Sequence, residues 1–598
     1  MASWIESRWG ARVAAGAVSA LATAIVARPW SFGRDAVFAQ GDTQFTLVSA
    51  LHVLDALRDG RPWYAVPLSW PVAEGVLQSD WVAGAAVVGS PLFALGVDPA
   101  RVHVWLVLGM LWATTFVAAR AAAAWLGEGP AAWLAGIAIG LGPLQVLHGA
   151  HLNLVFHAPA VLAFVGAYVG VARGSPGRAA AAGLLAGLTL PFGVYLGLHA
   201  LAAAAVAGTT ALLLAPERRR WFAWAGLLAG AAVGIAPTAP VLATYGAAAR
   251  RLGVTIGAGE IRGESWDLAD TLRPWPTSAV ERWIVPLWPA QADPARFTPD
   301  LPNPGWVLLA LAVWGAVVAW RGRRALGGPL VALVALGAIG LVLALGPEVI
   351  VMGRGTGIPA PYALLRYLPG FDGLRAPARW LIFPNATVAL LAAIAVRTAR
   401  PRAAAAAIVA VLLDFPTVPG QRVHDLDVAP GYAAIDAFDA PGALLDEAVI
   451  LAQGPCGCQK KDAVRAAELH GRPLVGGAHA RPVPGLTPVE RYAAAWYEPK
   501  HAAFLAAMGV RVVLDHPPLA VPPPGVRCEP VGDHQACLLP DATAEALCAG
   551  PWREVATLAD RPAMACAAVG RIAWPWPVRG PVGPIARRSN QMRVRPRR

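Results

Sequence analysis

The chain is short of charge. Asp, Glu, Lys and Arg make up 14% of its 598 residues, against 56% hydrophobic residues and a mean hydropathy of +0.51. A soluble domain carries about 25% charged residues. This shortage excludes an ordinary soluble enzyme, a disordered chain and a coiled coil, and it points to a polytopic membrane protein. Lysine is nearly missing: Lys460, Lys461 and Lys500 are the three, so the net charge of +12 is carried by arginine. An Arg-, Ala-, Gly- and Pro-heavy composition reflects a GC-rich bacterial genome. No basic-aromatic strand pattern or nucleic-acid-binding motif accompanies it, so no nucleic-acid partner is expected. The chain also lacks a Walker A loop, a dinucleotide fingerprint, a Gly-x-Ser-x-Gly elbow and a matched pair of short broken helices. No soluble nucleotide cofactor is therefore expected. Few charges fall inside the apolar runs, unlike the pattern of pumps and proton-coupled transporters.

Cysteine is missing from the hydrophobic part. Cys456, Cys458, Cys528, Cys537, Cys548 and Cys566 all lie in the last third. An even set confined to one polar segment fits an oxidising compartment. Disulfides are the favoured reading, with the pairing open; six free thiols or a metal site is the alternative. Cys456-Gly-Cys458 is too tight for the usual zinc knuckle.

What is abundant is long apolar sequence. A membrane-spanning helix needs about 20 apolar residues. Such runs lie near 10–28, 104–123, 130–148, 154–172, 179–195, 197–215, 221–245, 304–320, 328–346, 380–396 and 402–416. The expected fold class is therefore a polytopic α-helical membrane protein of about 11 spans, with the first an uncleaved anchor. Arg8 and Arg12, Arg120, Arg173 and Arg178, Arg218-Arg219-Arg220, Arg321 with Arg323 and Arg324, and Arg397, Arg400 and Arg402 then all fall on the cytoplasmic side. This requires 81–97, broken by Pro91, to be interfacial or re-entrant. The threading predicts a membrane domain over 1–416 with outer loops 29–103, 246–303 and 347–379. Residues 417–570 are expected to form an extracytoplasmic α/β domain carrying the six cysteines, with strands at Ala448–Leu451 and Val510–Leu514. Residues 571–598 read as a basic, disordered tail, and the N-terminus as cytoplasmic in a bacterial inner membrane.

Four places carry candidate chemistry. Asp42, a dozen residues past the first span, is a candidate base near the membrane surface or a helix N-cap before Phe45, Val48, Leu51 and Leu54. Asp55 and Asp59, beside Arg58 and Arg61, read as surface charges. His148, His151 and Asn153, with His157 beyond, lie at the outer ends of two spans. There they orient a sugar or phosphate, or are simply interfacial histidines; their spacing completes no metal site. Arg366, Arg375 and Arg379 stand in a Gly- and Pro-framed outer loop at headgroup depth, suited to a polyprenyl phosphate or to ordinary lipid phosphates. Glu260, Glu264 and Asp267 are candidates for a second acid or a sugar ligand, or belong to a solvated loop among interfacial tryptophans.

These residues together resemble the GT-C superfamily of integral-membrane glycosyltransferases, in particular large bacterial GT-C-like proteins of unassigned acceptor. The resemblance rests on Gly41-Asp42 in the first outer loop, Gly149–Asn153, and Pro369-Gly370-Phe371 with Arg375–Arg379. In the tail it rests on His470–Gly477 and Phe504–Leu514. It implies inverting transfer from a polyprenyl-phosphate-linked sugar to an envelope glycan, lipid or protein. Asp42 would be the base, Arg366, Arg375 and Arg379 would hold the donor phosphate, and His148, His151 and Asn153 would orient substrate. Many members carry a second acid directly after the first, where this chain has Thr43; that leaves a divalent metal open, and no metal ligand is assigned. The alternatives are a lipid-linked glycan flippase and a non-catalytic envelope-assembly protein.

Overall fold

A computed structural model of the chain describes residues 2–29, 36–37, 42–64, 81–254, 256–275, 277–283, 303–321, 327–365, 367, 374–416, 421–422, 443–446, 474–475, 489, 493–515, 522–531 and 534–540. In chain order the first elements are α1 (Ala2–Ala27), β1 (Ala36–Val37), α2 (Asp42–Arg58), α3 (Ala83–Ala94), α4 (Pro99–Leu126), α5 (Pro130–Gly140), α6 (Pro143–Leu147), α7 (Ala158–Ala172), α8 (Pro176–Gly187), α9 (Val194–Leu214), α10 (Arg218–Ile235), α11 (Ala239–Leu252) and α12 (Ala258–Gly263). There follow α13 (Trp306–Arg321), α14 (Gly327–Ala344), β2 (Glu348–Val351), β3 (Arg354–Pro359), α15 (Tyr362–Leu365), α16 (Ile382–Arg397), α17 (Pro401–Asp414), β4 (Gln421–Arg422), β5 (Ala443–Asp446), α18 (Pro499–Ala507), β6 (Val510–Asp515), β7 (Arg527–Val531) and β8 (His534–Leu538).

Two compact units result. The first comprises Met1–Phe32, Trp105–Ala239 and Thr255–Gly420; the second comprises Gly33–Val104, Pro240–Val254 and Gln421–Arg598. The stretch between α1 and α4 thus falls mostly in the second unit.

Among the described residues six helical stretches are long and apolar enough to cross a membrane: Trp9–Ala27, Pro99–Leu126, Pro130–Leu147, Val194–Leu214, Gly327–Ala344 and Pro377–Arg397. A seventh is added if α10 and α11 count as one span. Of the other expected runs, 304–320 and 402–416 form unbroken but shorter helices of 16 and 14 residues, and at two more proline and glycine shorten the helix. The apolar run 179–195 is cut after Gly187, where Leu190–Phe192 forms a single tight turn around Pro191 before Gly193. The run 154–172 becomes helical only at Ala158, with Pro159 in the first turn. There the missing N–H costs nothing, as also at Pro130, Pro143, Pro176 and Pro401. Helix α3, over the 81–97 stretch, has 12 residues. At 1.5 Å per residue it is far shorter than a bilayer core of about 30 Å.

Small residues hold the first unit together. A methyl group at Gly183 would meet the Leu227 carbonyl, at Gly230 the Ala180 carbonyl, and at Gly315 the Leu391 carbonyl. The backbones of α8 and α10, and of α13 and α16, therefore touch. Lipid supplies no hydrophobic drive between helices, so such close contact is the main source of their attraction. Helix α16 packs on α5, α13 and α14, and its Leu390, Ala393 and Ile394 are buried.

In the second unit α2 packs on α3 through Ala50 and Val53 against Val82, Ala83 and Ala86. A four-stranded sheet of order β5-β6-β8-β7 pairs β5 with β6 in parallel and the rest antiparallel. Helix α18 leads into β6, whose Val510, Val512, Val513 and Leu514 are fully buried. Cys528 and Cys537 face each other across the β7–β8 hairpin as a disulfide. The other four cysteines, the strand expected at Ala448–Leu451 and the tail 571–598 lie outside the described residues.

Candidate functional site

The start of α9 organises the centre of the first unit. Gly193 lies over Asn153, and a side chain there would run into the Asn153 carbonyl. The next residues thus enter the bundle against the 148–157 loop. Two of them, Tyr195 and His199, lie one turn apart on one face. The Tyr195 hydroxyl accepts the Ala376 N–H at 2.8 Å. The Arg379 guanidinium sits 4.7 Å from the Tyr195 ring centroid. Arg379 is 8% exposed, so this cation–π contact is largely desolvated, where such contacts are worth about 2 kcal/mol. The His199 ring is 5.1 Å from that of Trp380 and 5.3 Å from that of Phe383. Segment 375–380 is thereby fastened to α9.

The acids at 260–267 meet the same segment. Arg375 Nη1 lies 3.6 Å from Glu260 Oε1, with both side chains over a quarter exposed. The Ala378 N–H donates to the Glu264 carbonyl at 3.0 Å. Asp267 is engaged elsewhere. Its carboxylate accepts the Met352, Gly353 and Ala269 N–H groups. Met352 and Gly353 both have positive φ, so Asp267 caps the turn of the β2–β3 hairpin. Two candidate segments far apart in sequence thus converge on arginine and glutamate, while the third acid serves a turn.

The histidines form a second polar feature. His148 Nδ1 bonds to the Leu144 carbonyl at 2.6 Å, and its ring is 5.8 Å from that of His151. His157, before the first turn of α7, bonds through Nδ1 to Gln145 Oε1 at 3.1 Å and through Nε2 to His199 Nδ1 at 3.2 Å. His148, Asn153, His157, Gln145 and His199 are all buried. His157 also borders an apolar cavity walled by Ala122, Trp125, Phe164, Leu336, Phe383 and Leu390. A path of direct contacts therefore runs from Arg379 through Tyr195, His199 and His157 to an apolar chamber among the spans.

A carboxyl pair lies apart from this path. Glu281 accepts the Trp275 and Trp306 N–H groups and the Asn303 amide, while Asp414 accepts the Val307 N–H at 2.8 Å. The two carboxyls lie near enough that the Asp414 charge acts on Glu281. Burial, reinforced by the nearby Asp414 charge, pushes the Glu281 carboxyl up, against hydrogen bonds that favour its ionised form. The pair caps α13.

The sequence candidates are placed as follows. Arg375 and Arg379 flank the segment seated on α9, and Glu260 and Glu264 border it. His148, His151 and Asn153 lie in the loop beneath Gly193. Asp42 is the first residue of α2 in the second unit; its side chain, like Arg366, lies outside the described residues. Asp55 is more buried than a surface charge, and burial with the neighbouring Asp59 raises its pKa; Asp59 pairs with Arg61 at 3.1 Å. Among the described residues no three His, Cys, Asp or Glu side chains gather as a metal site. Sequence reasoning missed Tyr195, Gln145, His199 and the Glu281–Asp414 pair. A signal existed for Gln145 and His199, since each is a polar residue inside an otherwise apolar run.

The described residues thus form a multi-pass helical bundle with a buried cationic segment and an internal apolar cavity. No family model matches the chain, and no curated protein matches it by sequence. Among solved structures it is similar to the archaeal oligosaccharyltransferase AglB from Archaeoglobus fulgidus in complex with an inhibitory peptide and a dolichol-phosphate. That likeness has a TM-score of 0.46 and 12% identity over 86% of this chain and 70% of that one. The apo form of the Archaeoglobus fulgidus oligosaccharyltransferase gives a TM-score of 0.44 and 11% identity, over 86% and 70%.

Proposed function

We propose that this protein is a GT-C-type membrane glycosyltransferase that moves a sugar from a polyprenyl-phosphate donor to an envelope acceptor on the outer face of a bacterial cytoplasmic membrane. The observation that carries the reading is the path from Arg379 to the apolar cavity. A fixed guanidinium linked through Tyr195, His199 and His157 to an apolar chamber suits an amphiphile with an anionic head and a long hydrocarbon tail. Arg375 and Arg379, with Arg366, hold the donor phosphate. His148, His151 and Asn153 orient substrate. The disulfide in the second unit supports an oxidising, extracytoplasmic side for the C-terminal domain.

Asp42 is the base of the proposal. The acceptor hydroxyl oxygen attacks the anomeric carbon, its proton passes to Asp42, and the bond to the phosphate oxygen breaks, releasing polyprenyl phosphate with inversion. General-base help is worth about 10²–10⁴-fold, and electrostatic stabilisation of the leaving phosphate is comparable or larger. No step is routed through a metal ion.

Radiolabelled sugar transfer from polyprenyl-phosphate donors by the purified, reconstituted protein is the test. Transfer that is lost in Asp42→Asn while the protein stays folded supports the proposal. Activity within a few-fold of wild type removes Asp42 from the mechanism, and no transfer from any such donor removes the enzyme reading.

A further inference from the structure

Helix α9 has two polar ends. Tyr195 and the Arg379 segment stand at its start, and Leu214 closes it; 21 residues at about 1.5 Å each put roughly 30 Å between them. The far end collects arginine. Arg173 follows α7, Arg178 lies in the first turn of α8, and Arg218, Arg219 and Arg220 open α10. The two turns meet, since a side chain at Gly174 would run into that of Arg219. One carboxylate stands among these five arginines. It is Glu217, which engages Arg219 at 2.7 Å and Arg220 at 3.8 Å. Cations at the start of a helix also oppose its dipole, so this charge is not placed for the stability of α10.

Arg220 is the arginine drawn inward. Its side chain is 17% exposed. Nη1 donates to the Ala211 carbonyl at 3.3 Å, and Nε is buried without a partner. One long carbonyl bond and one distant carboxylate leave a largely dehydrated guanidinium under-satisfied, a state that an anion relieves. The Arg220 charge acts on Tyr168 of α7, whose hydroxyl lies against Gly328 at the start of α14, beside Leu214. Apolar surface borders the arginines. Leu213, Leu214, Trp221 and Phe222 are each more than half exposed, and the Arg218 guanidinium lies 5.7 Å from the Phe222 ring centroid. Exposed aromatics next to arginine at the end of a span mark headgroup depth.

We propose that this end of the bundle is a binding site for an anionic phospholipid, whose headgroup phosphate accepts from the Arg220 guanidinium while its acyl chains cover the exposed apolar residues beside it. Guanidinium forks suit a phosphodiester, and the surrounding arginines supply the rest of the charge complementarity. A zwitterionic lipid brings its own cation into the same positive field and binds less well. A soluble phosphate has the charge but leaves the apolar rim uncovered. The site lies at the other end of α9 from the Arg379 path and does not rest on the transferase reading.

The test is native mass spectrometry of the delipidated full chain, titrated with phosphatidylglycerol and phosphatidylcholine of identical acyl chains and, separately, with glycerol phosphate. Wild type should bind phosphatidylglycerol about tenfold tighter than phosphatidylcholine, the worth of one hydrogen-bonded charge pair. Arg220→Gln should abolish the preference, and Arg220→Lys, which keeps the charge and loses the fork, should reduce it by less. Arg400→Gln is the control. Arg400 is exposed and precedes α17 outside the cluster, and its loss should leave the preference within twofold. If Arg220→Gln does not fold, the double variant Arg173→Gln with Arg219→Gln, both exposed, reads the same site and should lower the preference about fivefold. A wild-type preference under threefold overturns the inference. So does an equal loss in Arg400→Gln, which would show a diffuse charge effect, or an unchanged preference in whichever cluster variant folds. Glycerol phosphate displacing the lipid at equal concentration overturns the lipid as the ligand.

Discussion

Arg375 and Glu260, on separate loops, approach to 3.6 Å in the first unit. Both are over a quarter exposed, so water screens the pair and its contribution to stability is at most about 1 kcal/mol. Its weight falls on ligand binding instead, since Glu260 offsets the charge with which Arg375 would meet a phosphate. Glu260→Gln should therefore leave the unfolding temperature within a degree or two while tightening lipid-phosphate binding by about two- to fivefold. Arg375→Ala should weaken binding by more than tenfold. Calorimetric titration of the reconstituted protein distinguishes these outcomes, and opposite signs for the two variants are essential to the argument.

The Tyr195 ring and hydroxyl do different work and can be separated. Tyr195→Phe keeps the surface beneath Arg379 and loses the acceptor for the Ala376 N–H. It should cost about 1 kcal/mol. Tyr195→Ala loses both and opens a hole beside His199, with an expected cost of about 3–5 kcal/mol. Thermal unfolding in detergent reads both, and equal losses would refute the division.

Glu281 predicts a pH dependence of stability. Burial raises its carboxyl from the ordinary 4.5 to about 7 in the folded protein. The folded state then binds the proton more tightly than the unfolded chain does. The stabilisation is full below about pH 4.5 and is lost as pH rises through about 7. The unfolding temperature should fall across that window, and Glu281→Gln, which stays neutral, should flatten the fall. A wild-type profile that rises with pH there would contradict the assignment.

Gly230 and Gly183 bring α8 and α10 into backbone contact. Gly230→Leu cannot fit without separating the helices, and overpacking of this kind costs about 1–3 kcal/mol or more. Gly177→Ala, where a methyl group would meet nothing within 4 Å, should be neutral. Proteolysis of the two variants in nanodiscs gives the comparison.

Much of this protein was legible without coordinates. The apolar runs around 104–123, 197–215, 328–346 and 380–396 became helices because about 20 apolar residues in a low-dielectric medium must satisfy their backbone internally. Val510–Leu514, rich in β-branched residues, became a buried strand. The runs read as whole spans at 154–172 and 179–195 are interrupted helices, because Pro159, Pro191 and Gly193 act locally while a hydropathy window averages over them.

The sequence by itself determined that this is an arginine-rich, multi-pass helical chain with a cysteine-bearing tail, since composition and periodicity are local properties and need no partner to be read. Only the tertiary structure decided which polar residues meet. Tyr195 under Arg379, His199 between His157 and Trp380, Glu281 near Asp414, and Asp267 on a hairpin turn are contacts between segments up to 184 residues apart. A buried polar group costs free energy until it finds its partner, and the identity of that partner is fixed by helix crossings where small residues let backbones touch, which no single segment encodes.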